Sequence, residues 1–161
     1  MNWLKNFVRP KLRQLVGRGK DSPDNLWHNC QNCQQRVFHR DLEKNLSVCP
    51  HCGFHLRVNA RQRMTALFDD GQFQIVGLAP TTVDPLKFRD SRRYSDRLKE
   101  ARDQTGAADA LTVASGSMGG VAVVMAVLDF QFMGGSMGLA VGEGLLTAAR
   151  LAVQRKSPLI V

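Results

Sequence analysis

Cysteine is absent from most of this chain. The only four among 161 residues are Cys30, Cys33, Cys49 and Cys52, so none lies outside residues 30–52. Long apolar runs are missing too. No uninterrupted stretch approaches the roughly 20 residues that cross a bilayer, so no transmembrane segment is expected. No secretory signal precedes the cysteines, which argues for free thiols and a cytoplasmic location. The chain also lacks a His-Ser-Asp set, a paired-carboxylate motif and a phosphate-binding GxxxxGK(S/T) loop. Its motifs therefore point neither to triad hydrolysis nor to direct use of ATP.

The cysteines that are present are ordered. They read C-x2-C, then fifteen residues, then C-x2-C. Each pair can fold into a knuckle that aims two sulfurs at one ion, and two facing knuckles supply a tetrahedron of thiolates suited to zinc. The gap is that of a zinc ribbon. Pro50 stiffens the second knuckle, and Gly53 follows where a left-handed turn is useful. Two disulfides or a redox dithiol are the competing readings, but a reducing compartment disfavours the first and the symmetric second pair is superfluous for the other. His28, His39, His51 and His55 lie nearby and read as solvated or outer partners of a four-sulfur site. With four protein ligands the zinc is structural, because no coordination position stays open for substrate.

Charge is uneven. Residues 1–63 carry twelve Lys/Arg against four Asp/Glu, and residues 64–161 carry ten of each, so the whole net charge of +8 sits in the first part. Such an excess reads first as a solvated face. The functional alternative is a surface for polyanions, nucleic acid included.

Three regions follow from the pattern: a basic arm and linker over 1–25, a zinc ribbon over 26–58, and an α/β region over 59–161. Met1–Val16 is a short basic amphipathic segment interrupted by Pro10, and 17–25 is a linker by composition. Asn59 is a plausible N-cap for a helix through Asp70, with Met64, Leu67 and Phe68 on one face and Gly71 as the stop. Residues 72–90 read as irregular, and a charged helix is expected at about Ser91–Gln104. A β-hairpin follows, Leu111–Ser117 and Val121–Phe130 around Gly119-Gly120. Its second strand is apolar nearly throughout, which predicts cover on both faces. A glycine-rich turn, Gly134-Gly135-Ser136-Met137-Gly138, then opens a helix over Leu139–Lys156. Leu145, Leu146, Ala149, Leu151 and Ala152 are expected on that helix's buried face. Leu159-Ile160-Val161 begins another buried strand, and ending there suggests a fragment.

LWHNCQNC (26–33), SVCPHCGFHLRV (47–58), ARQRMTALFDDGQF (60–73) and DFQFMGGSMGLAVGEGL (129–145) together resemble the β subunits of the bacterial and plastid-type acetyl-coenzyme A carboxylase carboxyltransferase. The resemblance runs through nearly the whole chain in order. It implies an incomplete crotonase-like spiral of ββα units behind the ribbon, making residues 59–161 the N-terminal part of a carboxyltransferase domain. It further implies an α2β2 assembly with the α subunit. Carboxyl transfer would run from carboxybiotin, on a separate biotin carboxyl carrier protein, to acetyl-CoA, giving malonyl-CoA for fatty-acid synthesis. ATP would be used by a separate biotin carboxylase component. Deprotonated acetyl-CoA is an enolate whose oxygen needs aimed donors, and a glycine-rich turn at a helix N-terminus suits that need. Gly134, Gly135, Ser136, Met137 and Gly138 are thus candidates for CoA contact or for shaping the site. A plain strand-to-helix connection is the equal alternative. The family's enolate-stabilising loops are expected beyond Val161, so no catalytic residue is assigned and the chain alone is expected to be inactive. A zinc-ribbon nucleic-acid-binding or regulatory protein is the competing function, and a structural lid or docking module is a third.

Overall fold

A computed structural model describes residues 26–161. The amphipathic segment at 1–16 and the linker at 17–25 lie outside the described residues. What is described divides after Leu56 into two compact units.

In the first unit, β1 (Trp27–Asn29) pairs antiparallel with β2 (Arg36–Phe38) in the register His28 to Val37, and α1 (His39–Lys44) follows directly. Its core is small: Cys30, Val37, Leu42 and Cys49 are buried, with Cys33 and Leu56 at the margin. So few apolar side chains bury too little surface to hold a fold without a further link. The six-residue α1 was not foreseen; it has no side-chain cap, and Leu42 is its only buried residue. The basic excess is not concentrated here. Residues 26–56 hold three Lys/Arg and two Asp/Glu, a net +1, while Arg57, Arg61 and Arg63 add three in the next unit.

The second unit is a four-stranded sheet in the order β3-β4-β5-β6, with helices on both faces. Its helix α2 (Ala60–Leu67) starts as expected: Asn59 accepts from the Gln62 N–H at 2.8 Å while Gln62 accepts from the Asn59 N–H at 3.0 Å. This reciprocal box satisfies two of the N–H groups a helix start leaves free. A single 3-10 turn (Asp69–Gly71) leads to β3 (Phe73–Ile75), α3 (Tyr94–Thr105), β4 (Leu111–Met118), β5 (Val121–Leu128), α4 (Leu139–Arg155) and β6 (Leu159–Ile160). The hairpin β4–β5 pairs Leu111 with Leu128 through Met118 with Val121.

The expectation for the apolar second strand holds. Val123, Val124, Met125 and Ala126 are all buried, and they alternate between two clusters. Val123 and Met125 meet Met64 and Phe68 of the α2 region. Val124 and Ala126 meet Leu98 of α3 and Val141, Ala148 and Ala152 of α4. Strand period two and cover on both faces are one observation.

Four expectations need correction. The helix at 60 ends at Leu67, because Phe68 leaves helical backbone (φ −78°, ψ 145°). That turn buries the Phe68 ring and leaves Leu67 exposed. Residues 72–90 are not wholly irregular, since Phe73–Ile75 pairs antiparallel with Gly116, Ser115 and Ala114 of β4. Gly116 makes room for this: a Cβ there would sit 2.6 Å from the Phe68 ring. On α4 the buried stripe is Val141, Gly144, Ala148 and Ala152, and Leu146 is exposed. Finally, Leu159–Ile160 pairs parallel with β5 but stands at the sheet edge, so Leu159 and Val161 are exposed.

Asp69 latches the hairpin turn. Its carboxylate accepts from the Ser117 hydroxyl at 2.8 Å and from the N–H groups of Gly119 and Gly120 at 2.8 and 2.9 Å. The Gly120 N–H, then Ser117 and Gly119, hold its pKa below the ordinary aspartate value. A lowered folded pKa means that the latch stabilises fully above the unfolded value and is lost as pH falls through the folded one. Asp69→Asn is therefore expected to lower Tm at neutral pH. The gap to wild type should start to close below about pH 4, as thermal unfolding at a series of pH values would show. A gap independent of pH would mean that the carboxylate charge is not what holds the turn.

Candidate metal centre and glycine loop

The two cysteine knuckles have the same backbone. Cys30 N–H donates to the Gln35 carbonyl and Gln34 N–H returns to the Cys30 carbonyl, both at 2.9 Å. In the second knuckle Cys49 N–H donates to Phe54 at 2.8 Å and Gly53 N–H returns to Cys49 at 2.9 Å. The returning residue is left-handed in each, Gln34 at φ 60° and Gly53 at φ 71°. Glycine takes that conformation freely, and Gln34 takes it at a cost. The motif thus announced itself at Gly53 and stayed hidden at Gln34.

Together the knuckles bring all four sulfurs within 4.8 Å of one another. Cys30 and Cys52 are 3.7 Å apart, Cys33 and Cys49 are 3.8 Å apart, and all four are free thiols. A disulfide needs about 2.05 Å. A tetrahedron with sulfurs about 2.3 Å from its centre has edges of about 3.8 Å. The donor set and its spacing fit one zinc ion. Among the described residues the group of potential ligands is the four cysteines. Of the nearby histidines, His39 approaches Glu43 at 3.4 Å, and the His28 Nε2 atom is buried without a hydrogen-bond partner among the described residues.

The thiols are electrostatically unequal. The Asn32 side chain, then the Phe54 N–H, bring Cys52 down to about 6. The Cys33 N–H lowers Cys30. The Gln35 N–H favours a Cys33 thiolate, but burial and the three neighbouring sulfurs outweigh it and push Cys33 up to about 12. Four sulfurs this close do not all ionise unaided. A dication among them reverses that balance and makes every one a ligand.

The glycine-rich turn lies in the second unit, between β5 and α4. Three successive residues, Met133, Gly134 and Gly135, have positive φ of 48°, 71° and 75°. Gly135 N–H bonds the Phe132 carbonyl at 2.8 Å. Gly138 is the N-cap of α4 and offers no side-chain acceptor, so the first-turn amides have no cap of their own. Ser136 and Gly138, with Leu139 and Tyr94, line a cleft of about 260 Å³. Gly134, Gly135 and Met137 do not line it, and Met137 is exposed. Burial, then Asp109, raises the Tyr94 pKa above the ordinary phenol value, and the protonated hydroxyl is a donor at the cleft wall. Tyr94 and Arg102 of α3, which both line the cleft, escape the sequence reading, because only the tertiary fold brings that helix to the loop.

Comparison with known proteins agrees with this geometry. The model of the acetyl-CoA carboxylase zinc finger domain matches residues 27–52. All 161 residues align with the acetyl-coenzyme A carboxylase carboxyl transferase subunit beta of Granulibacter bethesdensis, at 52% identity and over 52% of that protein's length. The protein of that name from Azorhizobium caulinodans is 51% identical over the full chain and 54% of its own length. That of Gluconacetobacter diazotrophicus is 47% identical over the full chain and 53% of its length. The chain spans about half the length of the curated relatives it matches.

Proposed function

We propose, on the premise that the chain is over its whole length a homologue of acetyl-coenzyme A carboxylase carboxyl transferase β subunits, that it serves in carboxyl transfer to acetyl-CoA. The observation that carries this reading is identity of about half, at 52%, 51% and 47%, across every residue of the chain. The product is malonyl-CoA, the donor is carboxybiotin on a carrier protein, and ATP is consumed at a separate biotin carboxylase. The working assembly includes an α subunit. We place it in the cytoplasm, where four free thiols persist; among the described residues no helix is long and apolar enough to cross a membrane.

Within that reading, Cys30, Cys33, Cys49 and Cys52 hold one structural zinc, which fixes the ribbon and takes no part in the reaction. Residues 59–161 begin the carboxyltransferase domain. The succession β4–β5–α4, with β6 returning parallel to β5, supports a ββα unit of a crotonase-like spiral. Gly134, Gly135, Ser136, Met137 and Gly138 shape the acyl-CoA site. The left-handed turn lets backbone approach a ligand closely, and the uncapped start of α4 favours negative charge. We assign these residues to binding and none to proton abstraction. The nucleic-acid reading is not favoured, since residues 26–56, the compact unit that holds the cysteines, carry only +1.

The test uses the full-length gene product containing this sequence, co-expressed with its α subunit. Labelled carboxyl is expected to move from the carboxylated carrier to acetyl-CoA only when both subunits are present. A stable, zinc-loaded complex that transfers none would refute the reading.

A further inference from the structure

We propose that Asp129 is a positioning residue, whose carboxylate ties the glycine loop to the start of α2 and so sets the affinity for acetyl-CoA. The inference rests on the reading of Gly134–Gly138 as part of the acyl-CoA site.

Asp129 follows the last residue of β5. Its own N–H bonds the Ala110 carbonyl at 2.7 Å, which fixes its backbone to the sheet. Its two carboxylate oxygens then serve different elements. Oδ1 accepts from the Gln131 N–H at 2.9 Å, inside the loop, and Oδ2 accepts from the Ala60 N–H at 3.1 Å, the first residue of α2. The Asn59–Gln62 box already serves the neighbouring N–H groups of that helix. Ala60 is a donor the box leaves over, and a residue 69 positions away takes it. A carboxylate is favoured there by the helix dipole. The adjoining residue adds a second tie, because the Arg57 guanidinium lies 4.3 Å from the Phe130 ring centroid.

From this base the loop is built upward. Phe132 N–H bonds the Asp129 carbonyl at 3.1 Å, and Gly135 N–H bonds the Phe132 carbonyl at 2.8 Å. The position of a Cβ on Gly135 would be 3.9 Å from the Asp129 carbonyl oxygen, so the glycine turn folds back onto the clasped residues. Loosening Asp129 frees the foot on which the turn stands. A loop that must be ordered on binding weakens the ligand's affinity without altering what happens once it is bound.

The experiment is steady-state kinetics on the full-length complex with its α subunit. Asp129→Ala is expected to raise KM for acetyl-CoA about tenfold, the scale of one lost charge-assisted hydrogen bond. The KM for the biotin donor and the zinc content should not move. A purely structural role would lower the active fraction, and hence kcat, at unchanged KM. Asp69→Asn, at the other end of the β4–β5 hairpin, is the control: less stable, same KM. If Asp129→Ala does not assemble, Asp129→Asn keeps one acceptor and should give a smaller rise of about threefold. An inactive wild-type complex overturns the loop's assignment to acyl-CoA. An active one in which the assembled Asp129 variants keep the wild-type KM overturns the positioning role alone.

Discussion

Replacing Cys30 by serine is expected to release the metal and unfold residues 26–56. Cys30 is fully buried and belongs to a core whose other buried members are Val37, Leu42 and Cys49. A hydroxyl is a shorter, harder and far less acidic ligand than a thiol, so the variant offers three sulfurs to an ion that wants four. In zinc-finger peptides metal binding supplies on the order of 10 kcal/mol of apparent folding energy. A cluster this small has nothing of that size in reserve. Of the sulfurs left behind, Cys33 and Cys49 would be 3.8 Å neighbours with no cation between them, which favours protonation or oxidation over a preserved fold. Zinc counted by native mass spectrometry should fall from one per chain to near zero. Amide exchange across 26–56 should rise to unfolded rates while the β4–β5 strands stay protected. Cys49→Ser, equally buried, should behave alike. One zinc retained by both variants would remove the four-thiolate centre from consideration.

That centre was legible in the sequence because covalent spacing alone places it. Two residues between cysteines make a knuckle, and fifteen more bring a second one round to face it. Capping is similarly local: Asn59 and Gln62 are three residues apart, and the helix starts where their side chains can reach its free amides. Burial of Val123–Ala126 was legible because an unbroken apolar strand has only one comfortable place. What escaped has no short-range signature. Asp69 meets Gly119 across 50 positions, and Asp129 meets Ala60 across 69. An aspartate beside a turn looks the same whether it is solvated or holds two elements together. The face of α4 departs from the expected one at Leu146 for a related reason. Ala152 is buried and Leu145 and Leu151 pack against the core as expected, but helix and sheet approach closely enough at Gly144 that a Cβ would sit 2.5 Å from a Leu111 methyl. Small residues line the contact, and Leu146 is displaced to the surface.

The second large effect is expected at Phe132. It heads the fully buried side chains by size, with 1% of its surface exposed. Its ring enters the cluster of Leu98, Val113, Val124 and Val141, between the sheet and the helices α3 and α4. Phe132→Ala removes a ring from packing that cannot collapse around the gap, because β4 and β5 are fixed by eight paired positions. Such truncations cost about 3–5 kcal/mol, a large share of the stability of an ordinary domain. The midpoint of denaturant unfolding should fall accordingly, with the slope unchanged. Phe132→Leu, which keeps most of the volume, should lose much less. The position has a second consequence, since the Phe132 carbonyl receives the Gly135 N–H. A residue that leaves the core takes the foot of the glycine turn with it. Protection of the Gly135 amide should therefore fall further in Phe132→Ala than the global loss of stability accounts for. A destabilisation below about 1 kcal/mol, with Gly135 protection tracking the global value, would mean that the ring neither supports the core nor anchors the loop.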